Sequence, residues 1–107
     1  YQAVTFPLAE SACELHAAHL MGLNSGALLD AGHRAVKELS MTKAYAVQAG
    51  VRAVDRAMQA HGAMGFTNEV GLVEAWARLR AVNVADGTNE ILYRTILQRM
   101  LKGDLDL

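Results

Sequence analysis

The stretch AVNVADGTNEILYRTILQRM, residues 81–100, joins two helical patterns through a short polar junction. An apolar run ends at Asp86 and Gly87, and apolar residues resume at Ile91 with helical spacing. This junction has two interpretations. An acid just before a helix is most often a helix cap. The alternative is a catalytic base, because the acid has apolar neighbours and lies beside the positive end of a helix dipole.

The segment before this junction contains two long helical patterns. The first is predicted to begin near Pro7, which suits a first turn, and to end at the stretch DAGH, where Gly32 suits a left-handed cap. The second is predicted over residues 34–61. No sustained strand alternation and no internal repeat are visible, so both long segments favour helices.

Two shorter helices are predicted to follow. Thr67 or Asn68 is expected to cap the third helix, which ends near Val84. The fourth is expected to run from Thr88 to Gly103, with a frayed tail after it. The predicted class is therefore all-α, an up-down four-helix bundle with two long and two shorter helices.

Composition excludes several classes of protein. Hydrophobic residues make up 52% of the 107 residues and the net charge is −1, which is not typical of a disordered chain. The ten Lys and Arg residues are scattered, so no nucleic-acid partner is expected. No apolar run approaches the ~20 residues of a membrane span. A single cysteine, Cys13, fits a reducing compartment, and we expect a cytoplasmic protein. The chain begins at Tyr1, and we expect residues 1–107 to be one domain of a longer protein.

Two further site types are not supported by the spacing of residues. His16 and His19 lie three apart, but no Glu is followed three residues later by His, so the carboxylate–histidine pattern of a di-iron bundle is missing and no metal is expected. The turn HGAMGF, residues 61–66, has no GxGxxG pattern and no preceding strand. Taken alone, this turn is predicted to end a helix.

Three stretches, in order, resemble the C-terminal helical domain of acyl-CoA dehydrogenases. YQAVTFPLAE (1–10) is similar to the family's His-Gln-x-x-x-Phe-x-Leu-Ala-Glu/Asp. SMTKAYAVQAGVRAVDRAMQAHGAMGFTNE (40–69) is similar to the stretch that runs from an Ala-Lys pair to Gln-x-x-Gly-Gly-x-Gly-Tyr/Phe-x-x-Glu. ADGTNEIL (85–92) is similar to Tyr-Glu-Gly-Thr-x-Glu-Ile. Each motif is weak alone, but their order and spacing make the resemblance strong over essentially all 107 residues.

The resemblance implies an FAD-dependent flavoenzyme that converts an acyl-CoA thioester to a 2-enoyl-CoA, as in fatty acid metabolism. It implies an N-terminal helical domain and a middle β-barrel domain, both absent from this chain. It also implies a homotetramer, a dimer of dimers, and an electron-transfer flavoprotein-like acceptor. This chain alone is expected to be inactive and not to retain FAD. The alternatives are an acyl-CoA oxidase or flavin monooxygenase of the same fold, or a non-catalytic helical association module.

The resemblance also implies roles for particular residues. Asp86 matches the catalytic base, and Gly87 matches a glycine that lies against the substrate thioester. Seven positions match cofactor-binding positions of the family: Gln2, Gln59, Gly62, Ala63, Thr88, Asn89 and Glu90. Of these, Ala63 stands where the family has a second glycine, which weakens a close backbone contact.

The family usually has glutamate at the position of Asp86. The shorter side chain withdraws the carboxylate by about 1.5 Å, whereas proton transfer needs heavy-atom reach of about 3 Å. A base outside this chain therefore stays an alternative. However, ARLRAVNVADG (77–87) resembles a subgroup with Arg-x-Arg-x-x-x-x-Ala-Asp-Gly, in which aspartate is usual at this position.

Overall fold

The computed structural model of the protein describes residues 1–107 and is helical throughout, with no strand. The four α-helices are α1 (Gln2–Asp30), α2 (Val36–Ala60), α3 (Leu72–Val82) and α4 (Asn89–Leu101). A short 3-10 turn, Gly62–Phe66, lies between α2 and α3. The predicted all-α class, with two long and two shorter helices, is therefore confirmed. No helix combines the length and the apolar character that crossing a membrane requires.

The central element of the fold is α2. Each of the other three helices packs against α2, and no Cα atoms of α1, α3 and α4 come within 8 Å of one another. Small residues on α2 permit this close packing: Ala44 and Ala49 are buried, and Gly50 faces the side chain of Leu79 on α3. The core of the domain therefore follows the length of α2. Many large apolar side chains on the other three helices remain exposed.

The helices α1 and α2 form an antiparallel hairpin. Near one end the Glu14 carboxylate accepts hydrogen bonds from Arg52 Nε at 2.7 Å and from Arg56 Nη2 at 3.1 Å. Near the other end the hydroxyls of Ser25 and Thr42 are 2.9 Å apart. The hydrogen bond from Arg52, together with that from Arg56, holds the pKa of the Glu14 carboxyl below its usual range. These polar pairs fix the register of the two longest helices.

Helix ends were predicted with mixed success. The end of α1 is confirmed, since Gly32 follows it with φ +90°. The prediction that Thr67 or Asn68 caps α3 was wrong, because α3 begins at Leu72 after Gly71, which has φ +78°. Thr67 instead donates its hydroxyl hydrogen to the carbonyl of Met64 at 2.7 Å and closes the 3-10 turn. The hydroxyl is therefore used at the end of one element and not at the start of the next.

The predicted fraying of the C-terminal tail was also wrong. Lys37, near the start of α2, is completely buried, and its Nζ donates to Asp104 Oδ1 at 2.9 Å and to the Asp104 carbonyl at 3.2 Å. A third hydrogen bond joins Lys37 Nζ to the Asp106 carbonyl. A buried ammonium group requires such partners, because losing its hydration would otherwise be costly. The tail is therefore held against the first turn of α2.

Candidate active site

The junction between α3 and α4 is a tight reversal of the chain. The amides of Val84 and Ala85 both donate to the Ala81 carbonyl at 3.0 Å, which closes the end of α3. The next two residues, Asp86 and Gly87, have φ values of +53° and +101°. Two consecutive left-handed residues turn the backbone so that α4 can begin immediately afterwards.

Asp86 adopts this left-handed conformation although it has a Cβ atom, whereas glycine would adopt it at little cost. A left-handed backbone costs an L-residue roughly 1–2 kcal/mol, although aspartate is among the residues that tolerate it best. The Asp86 residue is exposed, and its carboxylate makes no hydrogen bond or ion pair with any protein group. The helix cap is Thr88, whose Oγ1 accepts a hydrogen bond from the Ile91 amide at 3.3 Å. The carboxylate of Asp86 therefore has no structural partner and is free to meet a ligand.

The junction is held in place by α2 and by its own polar groups. Lys43 Nζ donates to the carbonyls of Ala85 and Gly87 at 2.5 and 2.6 Å. The Asn89 side chain donates to Asn83 Oδ1 at 3.1 Å, and the Asn89 amide donates to the Asn83 carbonyl at 3.2 Å. The backbone on both sides of Asp86 is thus anchored, although the Asp86 side chain is not.

The residues predicted to bind cofactor fall into two separate groups. Thr88, Asn89 and Glu90 follow Asp86 and Gly87 directly at the junction. The other group lies at the opposite end of the hairpin and is exposed: Gln2, Gln59, Gly62 and Ala63. The 16 residues from Lys43 to Gln59 along α2 correspond to about 24 Å of helix. The structure therefore does not bring the two groups together within one chain.

The turn after α2 is open at one glycine and crowded at another. Gly62 has φ +63° and no heavy atom within 4 Å of the place where a Cβ would lie. Gly65 is buried, and a Cβ there would lie 2.4 Å from the Met58 carbonyl oxygen. The sequence indicated a turn at both glycines, but it did not show that Gly65 is required for close packing of the turn on α2.

The contact between Lys43 and the junction was not predicted from the sequence. The sequence did contain one indication of this contact. Lys43 falls at helical spacing between Leu39 and Val47 on the apolar face of α2, where a charged residue is unusual. Its partners lie 42 and 44 residues away in sequence, so no local pattern connects them. The structure shows that the lysine crosses from the central helix to the junction.

Other sites of possible interest lie apart from this junction. A cavity of about 660 Å³ is lined by the end of α1, the start of α2, Arg99 of α4 and the C-terminal tail, and none of the predicted site residues lines it. No group of three or more His, Cys, Asp or Glu side chains is placed to hold a metal ion. The candidate site is therefore the surface formed by residues 86–90, with a second surface at the far end of the hairpin.

Comparison with known proteins identifies the family. Residues 1–101 match the family described as "Acyl-CoA dehydrogenase, C-terminal domain", and the chain belongs to this family. It is 31% identical over 102 residues to a 3-(aryl)acrylate reductase of Clostridium sporogenes and, equally, to the caffeyl-CoA reductase-Etf complex subunit CarC of Acetobacterium woodii. Each of these alignments covers 95% of this chain but only 27% of the relative.

A solved structure supports the same fold. The chain superimposes on an FAD complex of PigA with a TM-score of 0.90, at 24% identity, over 96% of this chain and 27% of that one. At this identity the similarity concerns the fold alone. The helical architecture and the family assignment therefore agree, and both relate this chain to about a quarter of a larger protein.

Proposed function

We propose that this chain is the C-terminal helical domain of a longer FAD-dependent acyl-CoA dehydrogenase, and that Asp86 is its catalytic base. In the proposed reaction the Asp86 carboxylate removes a proton from the α-carbon of an acyl-CoA thioester. FAD, when bound, supplies the hydride acceptor for the β-carbon, and the product is a 2-enoyl-CoA. Gly87 leaves room for the thioester, because a side chain at that position would occupy the same space.

One observation carries the proposal. Asp86 is held in a left-handed backbone conformation, exposed and without any partner for its carboxylate, in the only segment that joins α3 to α4. Residues held in strained backbone conformations are concentrated at functional sites. A general base must also have a carboxylate that substrate can reach. Because Thr88 already caps α4, the position of Asp86 favours a role as catalytic base over a role as helix cap.

The residues of the chain also fit a dinucleotide cofactor. At the far end of the hairpin the backbone at Gly62 is open, and the exposed side chains of Gln59 and Gln2 are available to polar groups. In the proposal this end meets the adenosine-diphosphate half of the FAD of a partner subunit, whereas Thr88 and its neighbours meet the flavin of the chain's own subunit. The separation of the two groups along α2 supports an assembly in which each domain serves two cofactors, as in a homotetramer.

The names of the two relatives suggest the direction of the reaction and the protein that exchanges electrons with the flavin. Both are named as reductases, and one is named as a subunit of an Etf complex. We therefore propose an electron-transfer flavoprotein-like partner for the complete protein that contains this chain. The same two carbon atoms are involved in oxidation and in reduction, so Asp86 would return the proton to the α-carbon in the reductive direction.

The test is the substitution Asp86→Asn in the complete protein. We expect the protein to retain FAD but to lose about 10²–10⁴-fold in the rate at which a saturated acyl-CoA bleaches the flavin under anaerobic conditions, which is the usual contribution of a general base. Asp30→Asn, at the exposed end of α1, is the matched control and should react normally. Normal flavin reduction in Asp86→Asn would refute the assignment of the base. Rapid reaction of the reduced flavin with oxygen would instead indicate an oxidase.

A further inference from the structure

We propose that Lys43 is a positioning residue for Asp86, acting through the backbone of the junction and not through contact with substrate. The inference rests on the proposed role of Asp86 as the base. Lys43 Nζ lies 2.5 Å from the Ala85 carbonyl oxygen and 2.6 Å from the Gly87 carbonyl oxygen. One ammonium group therefore binds the carbonyl of Ala85, just before Asp86, and the carbonyl of Gly87, just after it.

The placement of these two hydrogen bonds has a particular consequence. The two left-handed residues, Asp86 and Gly87, both lie between the two bound carbonyls. Rotation about their φ and ψ angles is therefore restrained at both ends by a single group. Hydrogen bonds from a charged donor are stronger than those between neutral groups. Without these two hydrogen bonds, the backbone of Asp86 could relax to a negative φ, and its carboxylate would then point in another direction.

The source of the restraint is well suited to this purpose. Lys43 lies on α2, the helix against which every other helix packs, so its backbone is supported on several sides. No carboxylate of the chain pairs with Lys43, and its two hydrogen bonds both go to the junction. Because Asp86 has a short side chain, it has little reach with which to compensate for a displaced backbone. Accurate backbone placement is therefore more important here than it would be for a longer acid.

The main test is the rate of flavin reduction in Lys43→Met of the complete, FAD-loaded protein. Methionine keeps much of the apolar stem but cannot donate to either carbonyl. Since a misplacement of about 1 Å can lower a rate by about 10²-fold, we expect a loss of about 10–100-fold in the single-turnover rate with a saturated acyl-CoA. FAD content and acyl-CoA affinity should remain unchanged. Lys43→Arg, which keeps a charged donor, should recover most of the rate, and the exposed Lys102→Met should react normally.

A second measurement follows the junction itself. Amide hydrogen exchange in peptides covering residues 83–89 should be faster in Lys43→Met, while peptides from α1 should be unchanged. In the Asp86→Asn background, Lys43→Met should cause no further loss of rate, because the group that it positions is already inactive. Equal additional losses in both backgrounds would contradict a role through Asp86.

The outcomes separate this inference from the function on which it rests. If Asp86→Asn abolishes flavin reduction but Lys43→Met reduces normally, the lysine only satisfies two carbonyls and the inference is overturned. If Asp86→Asn itself reduces normally, the proposed base fails, whatever the result at Lys43. Should Lys43→Met not bind FAD, Lys43→Leu, which also cannot donate a hydrogen bond, is the second variant, with the same expected loss, and a normal rate in it overturns the inference.

Discussion

Gly65 allows a quantitative test of how the turn after α2 is packed. A Cβ at this position would lie 2.4 Å from the Met58 carbonyl oxygen, about 1 Å inside the distance of 3.4 Å at which ordinary contact begins. It would also lie 2.9 Å from Met58 Cα and 3.0 Å from the Met58 carbonyl carbon. All three atoms belong to the backbone of α2, so no flexible side chain can move aside. Overpacking of this kind destabilises by about 1–3 kcal/mol.

A smaller effect acts in the opposite direction. Replacing glycine by alanine restricts the unfolded chain and stabilises by about 0.4–1 kcal/mol where the folded backbone permits it. We therefore expect Gly65→Ala to lower the free energy of unfolding by about 1–2 kcal/mol overall. Displacement of the turn should also weaken FAD binding in the complete protein, because Gly62 and Ala63 belong to the same turn.

The assay is chemical denaturation followed by helical circular dichroism. The matched control is Gly26→Ala on α1, where a Cβ would meet no heavy atom within 4 Å. This control should be stabilising by up to about 1 kcal/mol, because alanine is the better helix former. If Gly65→Ala is as stable as Gly26→Ala, the turn moves freely away from α2 and the packing argument is refuted.

Two further substitutions test the polar contacts that organise α2. The pKa of Glu14 is lowered in the folded chain by Arg52 and Arg56, so its stabilisation is present at neutral pH and is lost as pH falls through the folded pKa. Glu14→Gln should therefore lower the midpoint of thermal unfolding at neutral pH, and this difference should disappear in strong acid; the same difference at both pH values would contradict this explanation. Lys37→Met should release the tail at Asp104 and lower the free energy of unfolding by about 1–3 kcal/mol. Denaturant titration and faster amide exchange after α4 would show this, whereas an unchanged tail would argue against anchoring by the lysine.

The extent of the helices was largely predictable, because it depends on local patterns. Gly32 indicated the end of α1 correctly, but α1 begins at Gln2, so Pro7 lies inside the helix and not in its first turn. Thr88 preceded α4 as expected. The start of α3 was not predictable, because the Thr67 hydroxyl has two competing uses and the 3-10 turn takes it. The attached tail was also missed, since Lys37 and Asp104 are 67 residues apart and no periodic pattern connects them.

The candidate site was predictable in one part only. An acid beside a glycine at the seam of two helices drew attention to Asp86, and family motifs supplied its proposed role. The sequence did not reveal that Asp86 has a left-handed backbone or that Thr88, and not the acid, caps α4. Nor did it reveal the contact from Lys43, because that contact depends on how α2 crosses the junction.

The arrangement of three helices around α2 has a consequence for how the domain loosens. The backbones of α1, α3 and α4 each pack against α2 and not against one another, so α2 is the common support of the other three helices. Partial detachment of α1 would break its own contacts without directly disturbing those of α3 or α4, so that sub-global openings would be nearly independent. A disturbance within α2, in contrast, would weaken the packing of all three other helices at once.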